Sequence, residues 1–180
     1  MKADRLAAWG PATAAAAAMA MSLGALWFSS CAVHALKSQS RIELAMSLRR
    51  QFDADYKQDR ADCARAYLYG ADRKRRKKGL ETAPYGVIME FFDSLGYLVE
   101  RGVVDEPMAR YYFVYDLDGY FAATQSLMRR DQKNAPRRYE NVFRLIARWR
   151  ENEPRPDLNA FFQDELDFTS PPPPEEGPRT

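Results

Sequence analysis

MEFFDSLGYLVERGVVDEPMARYYFVYDLDGYF, Met89 to Phe121, decides the fold, because it ends in DLDG, a string that reads either as an active-site loop or as one turn of a helix. The spacing of the apolar residues favours the helix. Phe113, Leu117, Tyr120, Phe121, Thr124, Leu127 and Met128 recur at intervals of three and four, and Met108 and Tyr112 extend the stripe upstream. Gly119 is then either a weak point costing about 1 kcal/mol relative to Ala or the mark of a close helix contact. On this reading Asp116 and Asp118 are exposed helix residues.

The metal-dependent alternatives fail on their own residue requirements. A haloacid-dehalogenase-like phosphatase expects Thr or Val where Tyr120 stands, a buried strand before the first Asp, and a long downstream region carrying a Lys and further acids. A calcium loop aligned on Asp116, Asp118 and Gly119 places Val114 and Gln125 where oxygen ligands are required. The single histidine, His34, sits in an apolar run near the amino terminus. The rest of the chain therefore lacks an imidazole for a Ser-His-Asp triad, a Cys-His pair or a zinc site of the usual His and Cys types. The expectation is a protein without catalytic activity, cofactor or metal.

Working outward, Val87, Phe91, Leu95 and Leu98 form a stripe flanked by Ile88, Phe92 and Val99, a helix that Pro84 precedes and Gly102 stops. Asp105 can cap the following helix, whose first turn tolerates Pro107. Asn134 and Pro136 announce another helix, with Tyr139, Val142, Phe143, Ile146 and Trp149 on one face. Arg137, Arg138, Arg144, Arg148 and Arg150 mostly take its other side, the pattern of a solvated face paired to nearby acids. Upstream, Ile42, Ala45, Leu48, Phe52 and Tyr56 start an amphipathic helix that continues toward Ala64 and Leu68, with no Gly or Pro between Leu36 and Tyr69.

ATAAAAAMAMSLGALWFSSCAVHAL, residues 12–36, carries no formal charge and as a helix is about 37 Å long, more than the roughly 30 Å hydrocarbon core of a bilayer. Three membrane-related readings fit it. The favoured one is a retained transmembrane anchor or uncleaved signal-anchor; the others are a signal peptide cut after Ala35 and lipidation at Cys31 within FSSC. Lys37, Arg41, Arg49 and Arg50 follow the span while Lys2 and Arg5 precede it, which favours a cytoplasmic C-terminal domain. The net charge of +2 implies no global attraction to nucleic acid.

The predicted organisation is all-α: an N-terminal flank over 1–11, a transmembrane helix over 12–36, a compact bundle of three to four helices over 37–153, and a tail over 154–180. The tail carries a short helix near 157–167, docking Phe161, Phe162 and Leu166, and a disordered Pro-rich end. Within the bundle, residues 72–79 read as a basic loop, because Arg73, Lys74, Arg75, Arg76, Lys77 and Lys78 repel one another. These six cations, with Arg137 and Arg138, are the candidate contacts for a polyanion. The run lacks interleaved aromatics, which disfavours nucleic acid. The cluster Tyr111, Tyr112, Phe113, Tyr115, Tyr120 and Phe121 reads as core packing, and the pairs Asp53/Asp55 and Asp164/Glu165 as solvent-facing.

LGYLVERGVVDE, the aromatic helix after it, and YENVFRLIARWRENEPRP together resemble a bacterial family of anchored helical domains catalogued as domain of unknown function 4760. The hinge of that family, L-V-x-R-G-x-x-D-E, is matched at Leu98, Val99, Arg101, Gly102, Asp105 and Glu106. The resemblance covers roughly 42–153 and implies an all-α domain behind a membrane segment, with no activity or cofactor attached. The expected role is a single-pass membrane-anchored interaction or scaffolding module with a protein partner or a second copy of itself. The rivals are polyanion binding, to RNA or anionic lipid, through 73–78, and an exported or lipidated protein.

Overall fold

The computed structural model describes residues 35–70, 73–150 and 156–170. The chain divides into two units, Met1–Arg41 and Ile42–Thr180. Of the first, the described residues 35–41 are helical and exposed. The expected span over 12–36 and the candidate lipidation site Cys31 lie outside the described residues, apart from positions 35 and 36. Among the described residues, no helix is long and apolar enough to cross a membrane.

The described residues form seven helices and no strand: α1 (35–55), α2 (Lys57–Leu68), α3 (Arg73–Thr82), α4 (Tyr85–Glu100), α5 (Glu106–Asp131), α6 (Glu140–Trp149) and α7 (Leu158–Thr169). DLDG lies inside α5, as its spacing predicts. The hinge ahead of it also forms as expected. Gly102 adopts φ +63, a conformation L side chains rarely take, and lets Val103 N–H reach back to the Leu98 carbonyl at 2.9 Å. Asp105 then caps α5, its carboxylate accepting from Met108 N–H at 3.0 Å.

The core of the Ile42–Thr180 unit is built on aromatic rings. Phe52 of α1 meets Phe91 and Phe92 of α4 with centroids 4.8 and 5.3 Å away, and Phe113 of α5 at 5.9 Å. Such rings bury roughly 150–250 Å² each, which is how a small bundle gains enough apolar area to fold. The predicted stripe of α4 is slightly rotated: Ile88, Phe92 and Leu95 are buried but Val87 is 46% exposed.

Of the aromatic cluster expected in the core, Tyr111 and Tyr115 are instead 78% and 51% exposed, and four further expectations are corrected. The helix predicted without interruption from 36 to 69 turns at Tyr56, which takes φ −98 and ψ 6 ahead of α2. Residues 73–82 are helical rather than a loop. Leu80 is buried against the core, and Arg76 ties the helix down by donating to the Gly70 carbonyl and to Asn159 Oδ1 at 3.0 and 2.8 Å, while Lys74, Arg75, Lys77 and Lys78 are exposed. Their mutual repulsion is screened by water, so packing on one side suffices to hold the turn.

The third correction concerns the carboxyl end. The short helix expected near 157–167 forms as α7 and docks Phe161 and Phe162 as expected, at 1% and 0% exposure, but it is part of the core of the unit and not an appended tail. Asp157 caps it by accepting from Asn159 N–H at 2.9 Å. Gly119 makes the α5–α7 contact. A Cβ there would lie 2.5 Å from the Phe161 ring, so the glycine is a close-approach residue and not a defect in the helix. The fourth correction is to Asp116, Asp118 and Glu165, expected on the surface and found buried at 4%, 8% and 3% exposure.

Candidate functional site

Arg60 stands at the centre of a charged cluster inside the bundle. Tyr56 and Ala64, four residues either side, direct this face of α2 inward, so Arg60 is carried into the core and is 2% exposed. Its Nε and Nη2 each donate to a different Glu165 oxygen of α7 at 2.7 Å, a two-point fork of the kind a guanidinium makes best. Nη1 reaches Asp53 Oδ1 of α1 at 2.8 Å, and Nη2 lies 3.7 Å from Asp116 Oδ1 of α5. The guanidinium also sits over the Phe52 and Phe168 rings, 4.6 and 4.9 Å from their centroids.

Arg49 of α1 completes the cluster. It donates to Asp116, to Asp53 Oδ2 at 2.9 Å and to the Tyr112 carbonyl at 2.9 Å. Tyr120 of α5 donates to Glu165 Oε2 at 2.7 Å. Two arginines thus face three carboxylates, Asp53, Asp116 and Glu165. With all of them ionised the cluster has one negative charge in excess.

That imbalance shows in the proton affinities. Burial first, and then the nearby Glu165 charge, push the Asp116 carboxyl up to about 6 against the pull of Arg49 and Arg60. Burial alone would lower the Arg60 guanidinium, but the hydrogen bonds and charge of Glu165, with Asp116, hold it above its ordinary value. Burial and Glu165 likewise raise the Tyr120 phenol. The Cys63 thiol, buried beside this region, is raised by burial and by Asp59 and Asp62, which makes it an inert thiol rather than a nucleophile.

Asp118, the second acid of DLDG, faces Arg150, whose Nε is 3.0 Å from Asp118 Oδ1. Both acids of the string are therefore engaged by arginines inside the fold, an arrangement that positions helices and leaves neither carboxylate facing an open cleft. Among the described residues, no group of three or more His, Cys, Asp or Glu is placed to hold a metal ion.

The candidate polyanion contacts do not converge as one patch. Arg73 opens α3; Lys74, Arg75, Lys77 and Lys78 are exposed along it; and Arg76 is half-buried over the Tyr67 ring at 4.9 Å. Arg137 and Arg138 lie in the turn before α6, where Arg138 pairs with Glu90. A cleft of about 650 Å³ does take in Arg76 and Lys77, but its third cation is Arg150. Of the five arginines expected on the outer face of α6, Arg144 pairs with Glu100 and Glu140 and Arg148 with Glu106 as expected, whereas Arg137 and Arg138 precede the helix and Arg150 faces the buried Asp118.

A second concave feature lies between α1 and α4, a groove of about 300 Å³ lined by Leu48, Tyr56, Val87, Phe91, Leu95 and Leu98. Its rim is uncharged except for Glu90.

The sequence reading passes over Arg60, takes Arg49 only as a cation flanking the span and places Glu165 on the surface. The available signal was their register: Arg60 lies four residues from Tyr56 and from Ala64, and Glu165 four after Phe161, so each charge occupies an apolar stripe.

No curated protein and no solved structure matches this chain significantly. A family model does match, over residues 12–149, and the match stops before α7 and its Glu165. Those residues span more than three quarters of the chain and contain the hinge and the whole of α5, so the chain belongs to the family described as domain of unknown function (DUF4760).

Proposed function

We propose that this chain is a single-pass membrane-anchored helical module that works by binding another protein, without catalysis of its own. The observation that carries the reading is the groove between α1 and α4. Its walls are mostly apolar, with Gln51, Glu90 and Ser94 as the polar members, and Val87 at its edge is 46% exposed. Tyr97, nearly three turns further along α4, is 48% exposed. A partner helix with one or two large apolar side chains is the natural occupant of such a groove. The engagement of Asp116 and Asp118 by arginines supports a structural rather than catalytic use of DLDG.

The anchor in this proposal is the uncharged run over 12–36, with the helical unit on the cytoplasmic side because more cations follow the run than precede it. It requires that the mature protein keep Met1 to Leu36 and stay in the membrane fraction after alkaline carbonate washing. An intact mass showing a new amino terminus at Leu36, or a diacylglyceryl group on Cys31, removes it.

The groove is tested by placing a photo-crosslinking residue at Ser94, on the groove rim, and at Lys133, on the turn after α5, in the membrane-bound full chain. The proposal expects one discrete adduct from Ser94 alone, lost when Val87→Glu puts a charge in the groove. Equal labelling from both positions, or an adduct indifferent to Val87→Glu, contradicts it.

A further inference from the structure

The cleft between α2, α3 and α5 carries chemistry that the protein-binding reading does not use. Three cationic side chains line it: Arg76 and Lys77 from α3, and Arg150 at the end of α6. The described lining contains no carboxylate, in a chain that otherwise pairs its arginines closely. Arg150 uses Nε on Asp118, while its Nη2 is buried and has no hydrogen-bond partner among the described residues. A buried N–H of a cation without an acceptor is costly, and an anionic oxygen is the group that best relieves it.

The remaining walls narrow the ligand. Gln125 and Ser126 of α5 add an amide and a hydroxyl, and Tyr67 offers a ring edge beside the apolar Leu80 and Leu158. The volume of about 650 Å³ falls within the roughly 300–1,000 Å³ of small-molecule sites, too confined for a duplex and ample for a mononucleotide. With Asp118 already facing Arg150, a carboxylate ligand would answer one of the two cations of α3, whereas a phosphate monoester presents several oxygens and close to two charges.

We propose that this cleft is a binding site for a small phosphorylated molecule, its phosphate held by Arg76, Lys77 and Arg150 and its flat or apolar part lying against Tyr67, Leu80 and Leu158. The site is separate from the α1–α4 groove, so either can fail without the other.

The test uses the detergent-solubilised full chain, titrated calorimetrically and by thermal unfolding with adenosine monophosphate, with adenosine as the uncharged control, and with dihexanoyl phosphatidic acid as a lipid source of the same phosphate. Adenosine monophosphate should bind and raise Tm while adenosine does neither. Lys77→Glu and Ser126→Glu, both at exposed positions that leave the core intact, should each weaken binding by at least about tenfold, the scale of losing one charge-assisted hydrogen bond. Binding of the phosphatidic acid in place of the nucleotide, with the same sensitivity to both variants, assigns the phosphate to a lipid headgroup. Failure of both phosphate compounds to bind, or binding that neither variant weakens, overturns the proposal.

Discussion

Replacing Arg60 by Met keeps the aliphatic stem and deletes the guanidinium at the centre of the ion cluster, and the geometry sets the size of the effect. Glu165, 3% exposed, loses both bonds of its fork and keeps only the Tyr120 hydroxyl at 2.7 Å; Asp53 and Asp116 are left sharing Arg49. Breaking a buried pair in this way costs about 3–5 kcal/mol, because a charge remains in the interior without its partner. For a unit of this size that is a fall in Tm of roughly 10–20 °C. Thermal and urea unfolding of the detergent-solubilised chain, followed by circular dichroism, reads it directly. The companion variant Arg60→Met with Glu165→Met and Tyr120→Phe removes the stranded charge and the stranded hydroxyl together, and should recover most of the loss. A single-variant cost below about 1 kcal/mol, the value of an exposed pair, refutes the reasoning; so does a triple variant no more stable than Arg60→Met.

Three further outcomes follow from the same packing. Gly119→Ala should destabilise the protein by about 1–3 kcal/mol in urea unfolding, against the helix propensity of Ala, because the new Cβ would lie 2.5 Å from the buried Phe161 ring. Ending the chain at Asp157 should abolish cooperative unfolding, since it removes Phe161, Phe162 and Glu165 from the core; a truncated chain with an unchanged Tm would return α7 to the status of an appended tail. Asp116 is raised above its ordinary value of 3.8 to about 6, so the native state holds its proton more tightly than the unfolded chain does, and the stability from this group is present below pH 3.8 and lost as pH rises through about 6. Asp116→Asn, which mimics the protonated acid, should flatten the urea-unfolding profile between those two pH values, and a profile that keeps the wild-type slope would contradict the assignment.

Much of the fold was legible because periodic apolar spacing and local backbone chemistry are properties of neighbouring residues. Gly102 and Asp105 announced the α4–α5 hinge, and the stripe through Leu117 and Tyr120 announced α5. What the sequence did not disclose depends on contacts between distant positions. The acids of DLDG looked like surface residues because the partners that bury them, Arg49 and Arg150, are 67 and 32 positions away in the chain. Six successive cations looked like a loop because the features that hold α3 helical, Leu80 in the core and Arg76 across to Asn159, belong to tertiary packing. For α7 the helix and its docking through Phe161 and Phe162 were legible, but its place in the core depends on Gly119 opposite Phe161, a tertiary contact. Arg60, Asp116 and Glu165 share one overlooked sign, a charge placed where an apolar stripe calls for Leu or Phe.

Whether the acids of DLDG are interior counter-charges or metal ligands is read most directly by carbon-13 NMR of the Asp side-chain carboxyls. Asp116 should titrate near pH 6, with the Asp116 and Asp118 signals unmoved by millimolar magnesium and displaced when Arg49 or Arg150 is replaced by Met. Magnesium-dependent shifts at both carboxyls, with a magnesium-linked rise in Tm lost in the double Asn variant, would contradict the account and return this turn of α5 to the status of an active site.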